Sequence, residues 1–206
     1  MKYAPKTKEE LKALISDENI YLGDIDVSAI TDMGNLFAQS ERKDFSGIET
    51  WDVSHVTDMA GLFFDARYFN ANINDWDVSN VVTMLGMFNG ASKFNQPLDK
   101  WNTAKVTSMR LLFQGAMRFN QPIGNWNTSN VKDMYGMFVC AFEFNQPIEN
   151  WDVSRVKDMR SMFEYTHAFN QPLDKWDLTN KKTKDMFKKA LRGKKGTPTI
   201  VKENNW

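Results

Sequence analysis

Cysteine is almost absent: Cys140 is the only one in 206 residues, so no disulfide can form within the chain, and a reducing compartment is the simpler expectation. Histidine is nearly as scarce. His55 and His167 stand far apart in the chain, so neither a histidine metal cluster nor a catalytic histidine pair is expected. No stretch approaches the ~18 consecutive apolar residues of a membrane helix. The opening MKYAPKTKEELKALI has neither an apolar h-region nor a small-residue cleavage site. The expected location is therefore the cytoplasm, without membrane insertion; a cell-surface or secreted protein whose signal has been removed is the alternative. Formal net charge is zero, so no overall field draws in nucleic acid or an anionic surface. P-loop, Rossmann glycine and nucleophile-elbow motifs are all missing, and no cofactor is expected.

The charge is unevenly placed. Residues 181–206 hold nine Lys or Arg against Asp185 and Glu203, while the first 180 residues carry 17 basic against 24 acidic side chains. A basic end follows an acidic body, and such a run of like charge reads first as a solvated cap.

What the chain has in abundance is repetition. Trp51, Trp76, Trp101, Trp126, Trp151 and Trp176 fall 25 residues apart, and Phe69, Phe94, Phe119, Phe144 and Phe169 keep the same interval. From the Trp, the unit reads WDVSNVxDMxxMFxxAxxFNQPLxxW. An earlier degenerate copy runs from Ile25 to Phe37, with Ile25 in the Trp place.

Apolar spacing changes within the unit. Met59, Leu62, Phe63 and Ala66 follow i, i+3, i+4, i+7, as do Met84, Met87, Phe88 and Ala91, which predicts a short helix of about ten residues. Thr57, Asp58, Thr107, Ser108 and Asp158 are suited to cap it. The preceding Trp51–Val56 stretch is partly β-branched and predicts a brief strand. The FNQP segments at 94, 119, 144 and 169 would end the helix, because proline cannot continue it. Their asparagines, in line with Asn70, are placed to bond backbone groups of their own or an adjacent coil.

Strand, turn, helix and return loop in each unit predict an α/β repeat solenoid that buries its Trp, Met and Phe only by stacking. The expected organisation is an N-terminal helical cap over 1–24, repeats over 25–175, and a degenerate last repeat with a basic cap over 176–206. Thr7-Lys8-Glu9-Glu10 has the form of a capping box ahead of a helix whose Leu11, Leu14 and Ile15 face inward. At the other end Met186, Phe187, Ala190 and Leu191 repeat the apolar face, and Gly193 is placed to end it.

WDVSNV, DMxxMF and FNQP at this period closely resemble the bacterial surface-protein repeat family labelled DUF285, or leucine-rich repeats of the BspA-like type, over about residues 20–191. The resemblance implies a leucine-rich-repeat-like right-handed solenoid, with a parallel strand ladder on one face, short helices on the other and helical caps at both ends. It also implies a binding role, since many relatives resemble surface proteins that bind host or bacterial partners.

Two features invite chemistry. Asp52, Asp77, Asp152 and Asp177 share one column that could suggest a calcium ladder, but Asn102 and Asn127 fill it elsewhere, as turn-forming residues would and cation ligands would not. Cys140 has no candidate base beside it. Catalysis is therefore not expected, and function is sought in the columns that vary. One holds His55, Asn80, Lys105, Asn130 and Arg155; another holds Ala60, Leu85, Arg110, Tyr135 and Arg160. Arg and Tyr anchor interfaces more than most residues, so His55, Lys105, Arg155, Leu85, Arg110, Tyr135 and Arg160 are the candidate partner-binding set. Phe64, Tyr68, Leu111, Met117, Phe142 and Tyr165 are off-pattern apolar residues that would mark an interface if exposed together. The expected function is a non-enzymatic, monomeric protein-interaction module with a protein partner and no nucleic acid. An intracellular immunity or antitoxin-type inhibitor and a surface adhesin are the alternatives.

Overall fold

Backbone hydrogen bonds from each 25-residue unit run to its neighbours, and they set the architecture of the computed structural model, which describes residues 1–190. Leu191, Gly193, Glu203 and the rest of the expected basic cap lie outside the described residues. The units are coils 1 to 7, beginning at residues 25, 51, 76, 101, 126, 151 and 176. One parallel bridge joins each successive pair, through the column Asp32, Asp58, Thr83, Ser108, Asp133, Asp158 and Lys182.

The expected helices of the repeat are not formed. Among the described residues the one α-helix is α1, Lys8–Ser16, accompanied by single 3-10 turns at Leu22–Asp24 and Ile48–Thr50. In coil 2 the N–H groups of Met59, Gly61, Phe63 and Asp65 donate to Thr83, Leu85, Met87 and Asn89 of the next coil, at 3.2, 2.7, 2.9 and 2.6 Å. The intervening Leu62, Phe64 and Ala66 close tight turns onto Met59, Gly61 and Phe63. Two positions per coil are left-handed: Gly61, Gly86, Leu111, Gly136 and Ser161 at the first, Asp65, Gly90, Gly115, Cys140 and Tyr165 at the second. A right-handed helix cannot pass through them. Consecutive tight turns aim side chains inward at intervals of three and four, so they mimic the apolar spacing of a helix.

The expected strand over Trp51–Val56 is likewise replaced by turns. Val56 N–H donates to Val53 O, and Ser54 N–H to Asp52 Oδ1. Contact between coils in this stretch instead comes from Thr57 N–H to Thr31 O and its equivalents, just ahead of the bridge column.

The interior is a set of aromatic columns. Phe63, Phe88, Phe113, Phe138 and Phe163 stack with centroids 5.5 to 5.7 Å apart, and all are fully buried. Each lies against the second phenylalanine of its own coil, for example Phe113 on Phe119 at 3.9 Å. Every such ring removed from water stabilises the stack by ~2–3 kcal/mol. The Trp indoles form a third column, and each of Trp51, Trp76, Trp101, Trp126 and Trp151 donates its Nε1 to a carbonyl 28 or 29 residues earlier, at 2.8 to 3.1 Å. Where threonine replaces the usual valine, its buried hydroxyl is also matched: Thr103 and Thr128 donate to Asn127 O and Asp152 O.

The FNQP turns carry an asparagine ladder. Asn95, Asn120, Asn145 and Asn170 each donate their backbone N–H to the side-chain oxygen of the asparagine one coil earlier, at 2.8 to 3.0 Å. Gln121, Gln146 and Gln171 brace the same oxygens.

At the N-terminus Thr7 Oγ1 accepts from Glu10 N–H, and the Glu10 carboxylate accepts from Lys6 N–H, a reciprocal cap that begins α1. Leu11 and Ile15 are buried and Leu14 is half-buried. Arg42, 3% exposed, closes this end by donating to the carbonyls of Ile15, Asp17, Ile20 and Asp44. Burial pushes its guanidinium below the ordinary value.

Candidate functional site

The acidic column is absorbed by turns. Asp52, Asp77, Asp152 and Asp177 each accept from the backbone N–H two residues on, and Asn102 and Asn127 make the same bond. Hydrogen bonds from Ser54, Ser79, Ser154 and Thr179 hold those four carboxyls below the usual range. Among the described residues no three His, Cys, Asp or Glu side chains converge as metal ligands would. Cys140 is half-buried in a left-handed turn, and burial followed by the nearby Glu164 pushes its thiol up, away from the nucleophilic thiolate. His55 and His167 lie in coils 2 and 6. His55 contacts Val27 O at 3.2 Å, and His167 stacks on Phe142 at 5.1 Å.

The column that contains His55 is spent on the stack. Asn80 and Asn130 donate to Ser54 O and Ala104 O of the preceding coil at 2.7 Å. Lys105 and Arg155 then donate to the side-chain oxygens of Asn80 and Asn130, at 2.6 and 2.7 Å. His55, Lys105 and Arg155 are thus tethered, although Lys105 and Arg155 keep much of their length in solvent.

The other variable column is brought together as one cluster. The Arg110 guanidinium lies 4.1 Å from the Tyr135 ring centroid and that of Arg160 lies 5.4 Å away, from the coils on either side. Asp158 binds Arg160 at 2.6 Å and Asp133 reaches Arg110 at 3.5 Å. The hydrogen bond to Asp158 raises the Arg160 guanidinium, and the same contact lowers the Asp158 carboxyl. Leu85 continues the column one coil earlier and is 40% exposed. Tyr68 sits in a parallel arrangement on another column, with Lys43 and Lys93 over its ring at 5.7 and 4.6 Å.

The off-pattern apolar residues divide between columns, with Met117 and Phe142 in one column of adjacent coils. Phe64, Met117 and Phe142 are exposed, while Tyr68, Leu111 and Tyr165 are half-buried. Phe142 extends a short run with His167 in the next coil, but Phe64 lies in coil 2.

One column escaped the sequence reading. Thr57, Val82 and Thr107 occupy it in coils 2 to 4 and Lys132 and Lys157 in coils 5 and 6; coil 7 is one residue short, so Lys182 donates its N–H to Lys157 O in this column while its carbonyl accepts from Met159 in the bridge column, opposite Asp158. The signal was available, since laying the units in 25-residue register puts the three lysines in line. They are exposed and bonded in register through the backbone, Lys157 N–H to Lys132 O at 2.9 Å and Lys182 N–H to Lys157 O at 3.0 Å.

Among the described residues no helix is long and apolar enough to cross a membrane. The model of a family described as "Mycoplasma protein of unknown function, DUF285" matches residues 9–116 and again residues 96–198. No curated protein and no solved structure matches the chain.

Proposed function

The chain belongs to the DUF285 family of Mycoplasma proteins of unknown function, and on that premise we propose that it is a non-enzymatic module that binds another protein. The observation that carries this reading is the Arg110–Tyr135–Arg160 cluster. Its guanidinium groups are held by Asp133 and Asp158 and lie against one ring, so little side-chain freedom remains to be lost when a partner docks. Arg and Tyr are also the side chains that most often dominate interface energy. The coils are read as a leucine-rich-repeat-like, right-handed solenoid of the BspA-like type, whose outer columns vary while its inner ones repeat. The inter-coil bonds at 25-residue register support that reading. In it the chain acts as a monomer, and the cytoplasm is its place of action.

The test is capture of a partner from native lysate by the purified chain, beside a variant carrying Arg110→Ala, Tyr135→Ala and Arg160→Ala. A protein bound by the parent and lost from the variant, with an unchanged circular dichroism spectrum, supports the reading. Equal capture by both chains moves the interface to another face.

A further inference from the structure

Like charges placed directly opposite one another across a ladder destabilise it. Lys132 and Lys157 are such a pair, and Lys182 adds a third lysine at the coil-7 end, bridged to Asp158, with coil spacing of ~4.8 Å expected between in-register backbones. Lys132 and Lys157 make no ion pair or side-chain hydrogen bond within the described residues, and Lys182 makes none either, although after Arg160 it also helps to lower the Asp158 carboxyl opposite it. The carboxylates next to them in sequence, Asp133 and Asp158, are engaged by Arg110 and Arg160. On the other flank Arg155 stands exposed with its guanidinium on Asn130, and Lys181 reaches the carbonyls of Ser154 and Val156. The equivalent places in coils 2 to 4 are uncharged, so the framework does not require cations there.

We infer that the ridge of Lys132, Lys157 and Lys182, with Arg155 beside it, docks an acidic segment of the protein partner. This rests on the protein-binding reading of the adjoining Arg110–Tyr135–Arg160 cluster and names the chemistry that would meet it. Three lysines at ~4.8 Å intervals span about 10 Å, within reach of two or three Asp or Glu at alternate positions of an extended strand, ~7 Å apart. The local chemistry favours a carboxylate-bearing polypeptide over nucleic acid. Tyr135 is covered by guanidinium groups from both neighbouring coils, which leaves no free aromatic face for a base to stack on.

The experiment uses the full chain and a fluorescein-labelled peptide of alternating aspartate and serine, followed by fluorescence anisotropy at low and physiological ionic strength. An asparagine–serine peptide and an oligothymidine of equal charge serve as controls. The variant carries Lys132→Gln, Lys157→Gln and Lys182→Gln, all at exposed positions, and its unfolding midpoint is checked against the parent. The acidic peptide is expected to bind the parent, to weaken about tenfold or more in the variant and to weaken further with salt, as rim charges do. Equal binding by parent and variant, or no binding at low salt, overturns the ridge. Tighter binding of oligothymidine than of the acidic peptide overturns it in favour of nucleic acid. Lysate capture by the same variant separates the two ideas: a partner lost with the Arg110, Tyr135 and Arg160 changes but kept in the lysine variant refutes the ridge while leaving protein binding intact.

Discussion

Coils 2 and 3 match coils 5 and 6 on the inside and differ on the outside. Phe63 and Phe88 lie in the same column as Phe138 and Phe163, all fully buried, with neighbouring rings separated by 5.7 and 5.6 Å within the two pairs. Outside, Thr57 and Val82 are replaced by Lys132 and Lys157, and Ala60 and Leu85 by Tyr135 and Arg160. Inner positions are constrained from both sides by coils that need the same ring in the same place. Outer positions meet solvent and one neighbour on each side, so they can change charge without moving the stack. On the protein-binding reading proposed above, specificity belongs to the outer columns of the C-terminal half.

The largest expected effect tests the sameness of the interior. Phe88→Ala and Phe138→Ala should each cost about 3–5 kcal/mol, with values close to one another, in urea unfolding. A cost several-fold larger in one half would show that the two interiors are not equivalent.

A smaller effect tests the turns that carry the outer columns. Gly86 and Gly136 hold the same left-handed turn, with φ of 56° and 59°. An alanine Cβ at Gly86 would meet nothing closer than 3.7 Å, whereas at Gly136 it would lie 2.7 Å from Leu111 Cδ2. Gly86→Ala should cost about 1 kcal/mol from backbone strain alone, and Gly136→Ala visibly more, because Leu111 must also move. Thermal unfolding of the two variants measures the difference, and equal midpoints would mean that Leu111 yields freely.

The smallest effect is acid dependence. Asp52 and Asp77 have folded pKa values below the ordinary carboxylate value, chiefly through hydrogen bonds from Ser54 and Ser79. A depressed folded pKa contributes stability that is present above the unfolded value and is lost as pH falls through the folded one. Coils 4 and 5 carry Asn102 and Asn127 at this place, which do not titrate. Amide exchange below about pH 4 should therefore loosen the turns at Ser54 and Ser79 more than those at Ala104 and Ser129. Asp52→Asn with Asp77→Asn should abolish that contrast.

Much of the fold was legible in the residues. Side chains 25 apart are neighbours, so Arg110, Tyr135 and Arg160 could be placed in one column before any coordinates, and the Asn70 to Asn170 series could be read as a bonding ladder. Thr7 and Glu10 marked the start of α1. The helices expected after Met59 were misread because apolar spacing alone cannot distinguish a helix from successive tight turns. The glycines at 61, 86 and 136 pointed toward turns, but Leu111 and Ser161 hold the same left-handed conformation and hid the pattern. His55, Lys105 and Arg155 looked free because bonds to the preceding coil's carbonyls and amides depend on backbone positions that residue types do not reveal.

By itself the sequence determined which side chains share a column and which columns are apolar over coils 2 to 6, because the 25-residue period there makes neighbours i ± 25; the bridges from coil 1 to coil 2 and from coil 6 to coil 7 step by 26 and 24 instead. Only the tertiary structure decided how the backbone satisfies its hydrogen bonds. An N–H that would serve a helix four residues back is instead taken by a carbonyl about 25 residues away, and that choice is settled when the next coil arrives to offer it.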